Sequence, residues 1–239
     1  KNKMAAPMEK DNIQQDQELN SSDLGTKKYW EEAYTEELEN FADNGDRGEV
    51  WFGYDSVRRL LKWMEKSPLV NKSDNILDLG CGNGISLVEL YKKEYTSLTG
   101  IDYSEAAIEL AIRVANAENA VIEYQCGDIL ADSFECSCLQ CQYKIVLDKG
   151  TYDAISLSPD NPGQKRKQYV KNVHRLVRDD GLLILTSCNW TEEELLKHFN
   201  AHFCLHDRIP APTFQFGGVT GNRETTVVFK KIQWQGEKT

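Results

Sequence analysis

The run Asp78-Leu79-Gly80-Cys81-Gly82-Asn83-Gly84 decides how the chain is read. The stretch Ile76-Leu77-Asp78-Leu79 is short and apolar, like a strand buried on both faces. A helix is predicted from about residue 84 to 93. Between them, three glycines at spacing two and two let the backbone turn sharply and approach a ligand without Cβ clashes. The helix opened by this turn presents unpaired N–H groups. A lone glycine turn of this kind also serves dinucleotide enzymes, so the flanking residues must decide between ligands.

Outward from this unit, strands and helices alternate. Strands are predicted at 98–101, 121–125, 143–147 and 182–186, with helices between them. Ser104 can cap the helix carrying Ala106, Ala107, Leu110, Ala111 and Val114. Thr191 can cap another, whose Glu192, Glu193 and Glu194 suit its positive end. Residues 164–177 form a further helix. The chain closes with two β-rich stretches, 203–209 and 225–232, joined by a Pro- and Gly-rich loop. The expected fold is α/β: a doubly wound, mostly parallel sheet with helices on both faces, binding ligands at the carboxyl ends of its strands. The last two strands, with no helix between them, are expected to pair antiparallel at one edge.

Toward the amino end, residues 25–68 form a helical segment preceding the 75–235 core, the two making one domain over 25–235. Tyr29, Trp30, Ala33, Tyr34, Leu38 and Phe41 recur at helical spacing. After the loop 44–48 and Trp51-Phe52-Gly53, Val57, Leu60, Leu61 and Met64 mark a second helix that ends near Ser67-Pro68. Residues 1–24 are polar and are expected to be a disordered tail.

Acidic residues outnumber basic ones by 38 to 28, a formal charge of −10. That balance disfavours nucleic-acid phosphates and favours a basic partner. No run of 18 apolar residues suggests a membrane span. Lys1 to Lys10 lacks the apolar core of a secretory signal. Seven scattered cysteines fit reduced thiols in the cytoplasm, with nuclear entry left open. A monomer is expected.

The flanking residues favour S-adenosylmethionine as the ligand. The glycine spacing differs from G-x-G-x-x-G. Asp78, just ahead of the turn, suits an ammonium and a sulfonium and would repel a pyrophosphate. Asp102 ends the second strand, where a carboxylate can hold ribose hydroxyls; that fits either ligand. Gly127-Asp128-Ile129 follows the third strand, where an adenine would lie.

These residues, the β–α order and the terminal β pair resemble the class I methyltransferases over roughly residues 70–235. The resemblance implies a seven-stranded sheet of order 3-2-1-4-5-7-6, its last strand antiparallel. It also implies that Gly80, Gly82 and Gly84 bend around the methionine part. Asp102 would hold the ribose and Asp128 the adenine edge, with Tyr103 and Ile129 flanking the base. For those two, ordinary packing is the other reading.

Leu147-Asp148-Lys149-Gly150-Thr151-Tyr152-Asp153 departs from the N-P-P-Y and D-P-P-Y runs of enzymes that methylate base amines. It is similar to the run of a group of protein lysine methyltransferases. Glu49 to Gly53, Lys165 to Val170, Ser187 to Thr191 and Phe214 to Gly218 extend the match to the elongation factor 1-alpha lysine methyltransferases, over about residues 24–232. The resemblance implies a protein substrate, elongation factor 1-alpha, which is basic, and transfer of up to three methyl groups to one lysine.

Asp148 is the candidate for holding either the methionine end or the amine, and both roles stay open. Trp51, Phe52, Trp190, Phe214 and Phe216 are candidates for the walls of a lysine slot, since aromatic faces tolerate a methylated ammonium. Plain core packing is the other reading of all five. No metal is expected: Cys126, Cys136, Cys138 and Cys141 lack the spacing of paired knuckles. Lys165-Arg166-Lys167 is read as a solvated helix face, and Cys81 as a small filler. His174, His198, His202 and His206 are read as surface or packing residues. The helix around Trp30 either folds over the cofactor or packs on the sheet. Two rival functions remain: a methyltransferase for a small amine or carboxylate, and a noncatalytic scaffold that keeps the cofactor fold. Asp78, the glycines and Asp102 speak against the scaffold. A nicotinamide dehydrogenase is weaker still, because no catalytic constellation for it is visible.

Overall fold

The computed structural model describes residues 18–216 and 219–232. Nine strands are seen there: β1 (Asn75–Leu79), β2 (Ser97–Asp102), β3 (Glu123–Cys126), β4 (Tyr143–Lys149), β5 (Val177–Ser187), β6 (Phe203–Arg208), β7 (Thr213–Phe216), β8 (Val219–Asn222) and β9 (Thr225–Lys231). The helices are α1 (Lys27–Asn44), α2 (Gly53–Lys66), α3 (Ile85–Lys92), α4 (Glu105–Ala117), α5 (Thr151–Ser156), α6 (Pro162–Leu176) and α7 (Glu192–Phe199).

Seven strands form one sheet in the order β3-β2-β1-β4-β5-β9-β6. β1 to β5 run parallel, and β9 is antiparallel to both β5 and β6. Numbered within the sheet alone, this is the expected 3-2-1-4-5-7-6. β7 and β8 form a separate hairpin that the loop chemistry of the sequence did not announce. Strand order reverses between β1 and β4, and the two glycine-bearing turns sit at that switch point.

Side chains alternate along the strands and split the core. Leu77, Leu79, Val146, Leu183 and Leu185 pack on one face with Tyr169 and Val173 of α6 and Leu195 and Phe199 of α7. Ile76, Ile145, Leu147, Leu182 and Ile184 pack on the other with Val57, Leu60, Leu61 and Met64 of α2. Helical spacing puts those four α2 residues on one stripe, which is why so charged a helix docks at all. The predicted cap of α7 is present as a reciprocal capping box between Thr191 and Glu194.

Residues 18–24, expected as part of a disordered tail, are docked instead. Glu18 forms a forked pair with Arg166 at 2.7 and 3.0 Å, and Leu19 packs on the core. Ser22 N–H donates to the Leu157 carbonyl at 3.1 Å. The physical reason is Arg166 of α6, which is buried and whose acid partner among the described residues is Glu18. The rest of the expected tail, 1–17, lies outside the described residues.

Candidate active site

The cleft at the switch point encloses about 280 Å³, close to the lower end of small-molecule sites. Its floor is the β1–α3 turn. Gly80, Gly82 and Gly84 all have positive φ, at 63°, 52° and 73°. At Gly82 a Cβ would stand 2.3 Å from Tyr34 Oη of α1, so the absent side chain is what lets that helix close over the turn. Gly80 and Gly82 line the cleft, whereas Gly84 caps α3 behind it.

Asp78 lies at the base of the turn, 3% exposed, beneath the cleft rather than among its lining residues. Burial pushes its carboxyl up to about 7, against the pull of the Lys149 ammonium. Among the described residues nothing donates a hydrogen bond to it. A buried carboxylate left in that state costs several kcal/mol unless a cation meets it. Asp102, at the end of β2, lines the cleft, and burial holds it up at about 6. Its two oxygens accept from Gly82 N at 3.1 Å and Ser104 N at 3.0 Å, which fixes the carboxylate and leaves further lone pairs for a ligand. Beyond it, Tyr103, Asp128 and Ile129 line the same end of the cleft. Asp128 Oδ1 accepts from Leu130 N at 2.8 Å, and Ile129 is 6% exposed.

Asp148, proposed from sequence to hold the methionine end or the amine, does not line the cleft. It accepts from Thr151 N (2.9 Å), Tyr152 N (3.0 Å) and the Tyr169 hydroxyl, and is 1% exposed. The alternation of β4 explains this. Leu79 is in register with Asp148, and both face α6, so the carboxylate ties the β4–α5 corner to α6. The neighbouring Lys149 takes the cleft side.

The slot-wall candidates separate. Trp51 and Phe52 line the cleft. Phe52 caps α2 with φ 62°, a left-handed conformation that costs a bulky residue about 1–2 kcal/mol. Gly150 opposite has no Cβ, and one built there would touch the Phe52 ring at 3.3 Å. Trp190 does not line the cleft: it is 3% exposed, its Nε1 donates to Ser156 Oγ at 3.0 Å, and its ring meets His198 edge-on. Phe214 and Phe216 belong to β7, but their side chains lie outside the described residues.

Several lining residues escaped the sequence reading. Asn83 donates to the Arg47 and Glu49 carbonyls at 2.9 Å, stitching the glycine turn to the segment before α2. Thr151 Oγ1 donates to the Leu79 carbonyl at 2.6 Å and joins the two turns. Asp153 accepts from Ser187 Oγ at 2.5 Å and Cys188 N at 2.7 Å, holding the β5 end where Cys188 and Asn189 face the cleft. Asp153 closes the Asp148-to-Asp153 run already singled out, so that signal was in view. The helix around Trp30 does fold over the site. Trp30 and Tyr34 of α1 line it, with Trp30 against Trp51 at 5.1 Å between ring centroids. Among the described residues no group of acidic, cysteine and histidine side chains is arranged to hold a metal.

Residues 70–234 match a family model described as a methyltransferase domain. EEF1A lysine methyltransferase 2 of Danio rerio is 45% identical to this chain, covering 92% of it and 93% of the relative. The protein of the same name from Homo sapiens is 44% identical, with 88% of each covered. Protein-lysine N-methyltransferase efm4 of Schizosaccharomyces pombe is 37% identical, with 89% of this chain and 95% of the relative covered. A TehB-like SAM-dependent methyltransferase from Corynebacterium glutamicum shares the fold, with a TM-score of 0.57 at 19% identity over 84% of this chain and 98% of that one. So does magnesium protoporphyrin IX methyltransferase from Synechocystis, with a TM-score of 0.56 at 17% identity over 82% of this chain and 96% of that one.

Proposed function

The chain belongs to the family of EEF1A lysine methyltransferases, and from that premise we propose that it transfers methyl groups from S-adenosylmethionine to a lysine of elongation factor 1-alpha. The observation that carries the cofactor is the turn of three positive-φ glycines at the cleft, with the carboxylate of Asp102 in the lining and that of Asp78 buried at the base of the turn. A cationic nucleoside fits that arrangement; a pyrophosphate does not. The relatives' names and their near full-length identity support the substrate.

The bound cofactor supplies an already activated methyl group on a sulfonium, so transfer is an in-line displacement needing little acid–base help. The chain's own residues then position and desolvate. Asp102 would hold the ribose hydroxyls and Asp128 the adenine edge, with Tyr103 and Ile129 flanking the base. Gly80 and Gly82 let the backbone come close to the methionine part. Trp51 and Phe52 wall the slot for the lysine stem. An incoming lysine has a free pKa of about 10.4 and must lose its proton to react; exclusion from water between these rings lowers that value. The same ring faces tolerate the methylated ammonium that each transfer leaves, and its proton must pass to water before a further methyl can be accepted.

The test is mass spectrometry of elongation factor 1-alpha after incubation with the protein and isotopically labelled methyl donor. One lysine is expected to gain label. Cofactor binding without label on that protein, together with label on small amines, would replace the substrate. Binding with no transfer to either would leave a scaffold.

A further inference from the structure

Four carboxylates line the cleft: Glu49, Asp102, Asp128 and Asp153. The sheet order places three of them. Asp128 follows β3, Asp102 ends β2, and Asp153 is tied to the end of β5 through Ser187 and Cys188. Neighbouring strands stand about 4.8 Å apart, so the β2 and β5 ends are separated by roughly 14 Å across the β1 and β4 turns. A nucleoside held at β2 and β3, with its methionine part over the β1 turn, leaves the β4–β5 end of the cleft to whatever accepts the methyl. Trp51 and Phe52 cover that end. Lys149, at the end of β4, donates to the Trp51 carbonyl at 3.3 Å, and the Phe52 ring stands against Gly150.

Asp153 is the buried acid at that end, 5% exposed, whereas Glu49 is exposed. Its own partners are neutral. One oxygen accepts from the Ser187 hydroxyl at 2.5 Å and the other from Cys188 N at 2.7 Å, and each keeps a further lone pair. Among the described residues no Lys, Arg or His nitrogen pairs with it within 4.0 Å. The acids that act on Lys149 are Asp78, Asp148 and Glu224. Burial pushes the Asp153 carboxyl above the ordinary range despite its neutral donors. A buried carboxylate so placed is stabilised by a cation, or by a centre on which positive charge develops.

We propose that Asp153 receives the amine of the target lysine, accepting its N–H while the nitrogen lone pair is turned to the methyl group. This rests on the reading of the protein as a lysine methyltransferase using S-adenosylmethionine, and it names the residue that touches the acceptor. In the transfer the lone pair forms the N–C bond, and the C–S bond breaks with its electron pair left on sulfur. Positive charge passes from sulfur to nitrogen. A carboxylate beside the nitrogen meets charge that grows along the reaction, so it favours the transition state over the neutral amine. The product ammonium then gives its proton to water.

The experiment is calorimetric titration with S-adenosylhomocysteine and two probes. In both probes a nitrogen replaces the sulfur of S-adenosylmethionine. It carries a 2-aminoethyl group in one, which puts an ammonium where the acceptor nitrogen would lie, and an n-propyl group of the same size in the other. The unaltered protein should bind the aminoethyl probe about 10- to 100-fold more tightly than the propyl probe, the worth of one charged hydrogen bond. In Asp153→Asn that preference should fall to near one while S-adenosylhomocysteine still binds. In Glu49→Gln the preference should persist.

Equal affinity of the unaltered protein for the two probes, with S-adenosylhomocysteine bound normally, overturns the proposal. That comparison needs no variant to fold. A full preference kept by a cooperatively melting Asp153→Asn variant overturns it as well, as does a preference abolished by Glu49→Gln. Failure of the unaltered protein to bind S-adenosylhomocysteine overturns the cofactor reading and takes the proposal with it.

Discussion

Replacing Asp148 by alanine separates two roles for one carboxylate, a strut in the fold or a participant at the reacting atoms. The structure shows the strut. Its removal leaves Thr151 N, Tyr152 N and the Tyr169 hydroxyl without an acceptor, and Tyr169 is fully buried. A buried donor left unpaired costs about 1–3 kcal/mol. Three of them set an upper range that local relaxation and water entry reduce to roughly 3–5 kcal/mol. In a domain of this size each kcal/mol moves the melting temperature by about 2–4 °C, so a drop of about 6–20 °C is expected. Asp148→Asn keeps an acceptor for the two backbone N–H groups and loses only the charge-assisted bond from Tyr169. About 1.5–3 kcal/mol is then the expected cost. The assay is calorimetric melting with and without S-adenosylhomocysteine, alongside transfer measured well below the melting range. If Asp148→Ala melted like the parent and still lost all transfer, the strut would be the wrong account.

Three further outcomes follow from the same geometry. Asp102→Ala should weaken S-adenosylhomocysteine binding at least about tenfold, by loss of a charged hydrogen-bonding partner, while the sheet stays folded; parent-like affinity would remove the ribose assignment. Cofactor affinity should rise with pH up to about 7 and then level, because burial raises the Asp78 carboxyl to about 7 and only its ionised form attracts an ammonium. The same raised carboxyl holds its proton in the fold but not in the unfolded chain. The ligand-free protein should therefore lose stability as pH climbs from about 4 to about 7. Titration calorimetry from pH 5.5 to 8.5 reads the first effect, and a flat affinity would count against Asp78 as the cation's partner. Gly82→Ala should destabilise by at least about 1–2 kcal/mol, through the left-handed φ, and should push α1 off the turn because its Cβ would meet Tyr34 Oη. Adding Tyr34→Phe should recover part of the loss in a thermal melt, and no recovery would place the strain elsewhere.

The sheet was legible in the sequence because its signals are local. Short apolar runs bounded by glycines and caps give strands and helices, and their alternation gives the parallel order. What escaped detection depends on contacts far along the chain. The docking of residues 18–24 turns on a buried Arg166 that looks, in sequence, like one cation in a solvated Lys-Arg-Lys face. Gly80, Gly82, Asp102, Asp128 and Ile129 were legible as cleft residues for the same reason as the strands, since each sits at a strand end or within a few residues beyond it. At β4 the sequence singled out Asp148, and which face of the strand it takes was not available. A shift of one position along a strand exchanges the two faces, and Lys149 rather than its acidic neighbour turns to the cleft. Trp190 and Phe52 look alike as aromatic residues in matching motifs. Only a left-handed turn at Phe52 and a serine partner at Trp190 send one to the cleft and the other to the interior.

The segment from Leu24 to Phe52 has a consequence for what counts as the working unit. It supplies Leu24, Lys27, Trp30, Tyr34, Trp51 and Phe52 to the cleft, yet every strand of the large sheet begins after residue 74. A version of the protein started at residue 70 would therefore keep every strand of that sheet, lose one whole side of the chamber in which it operates, and bare the sheet face that α2 covers.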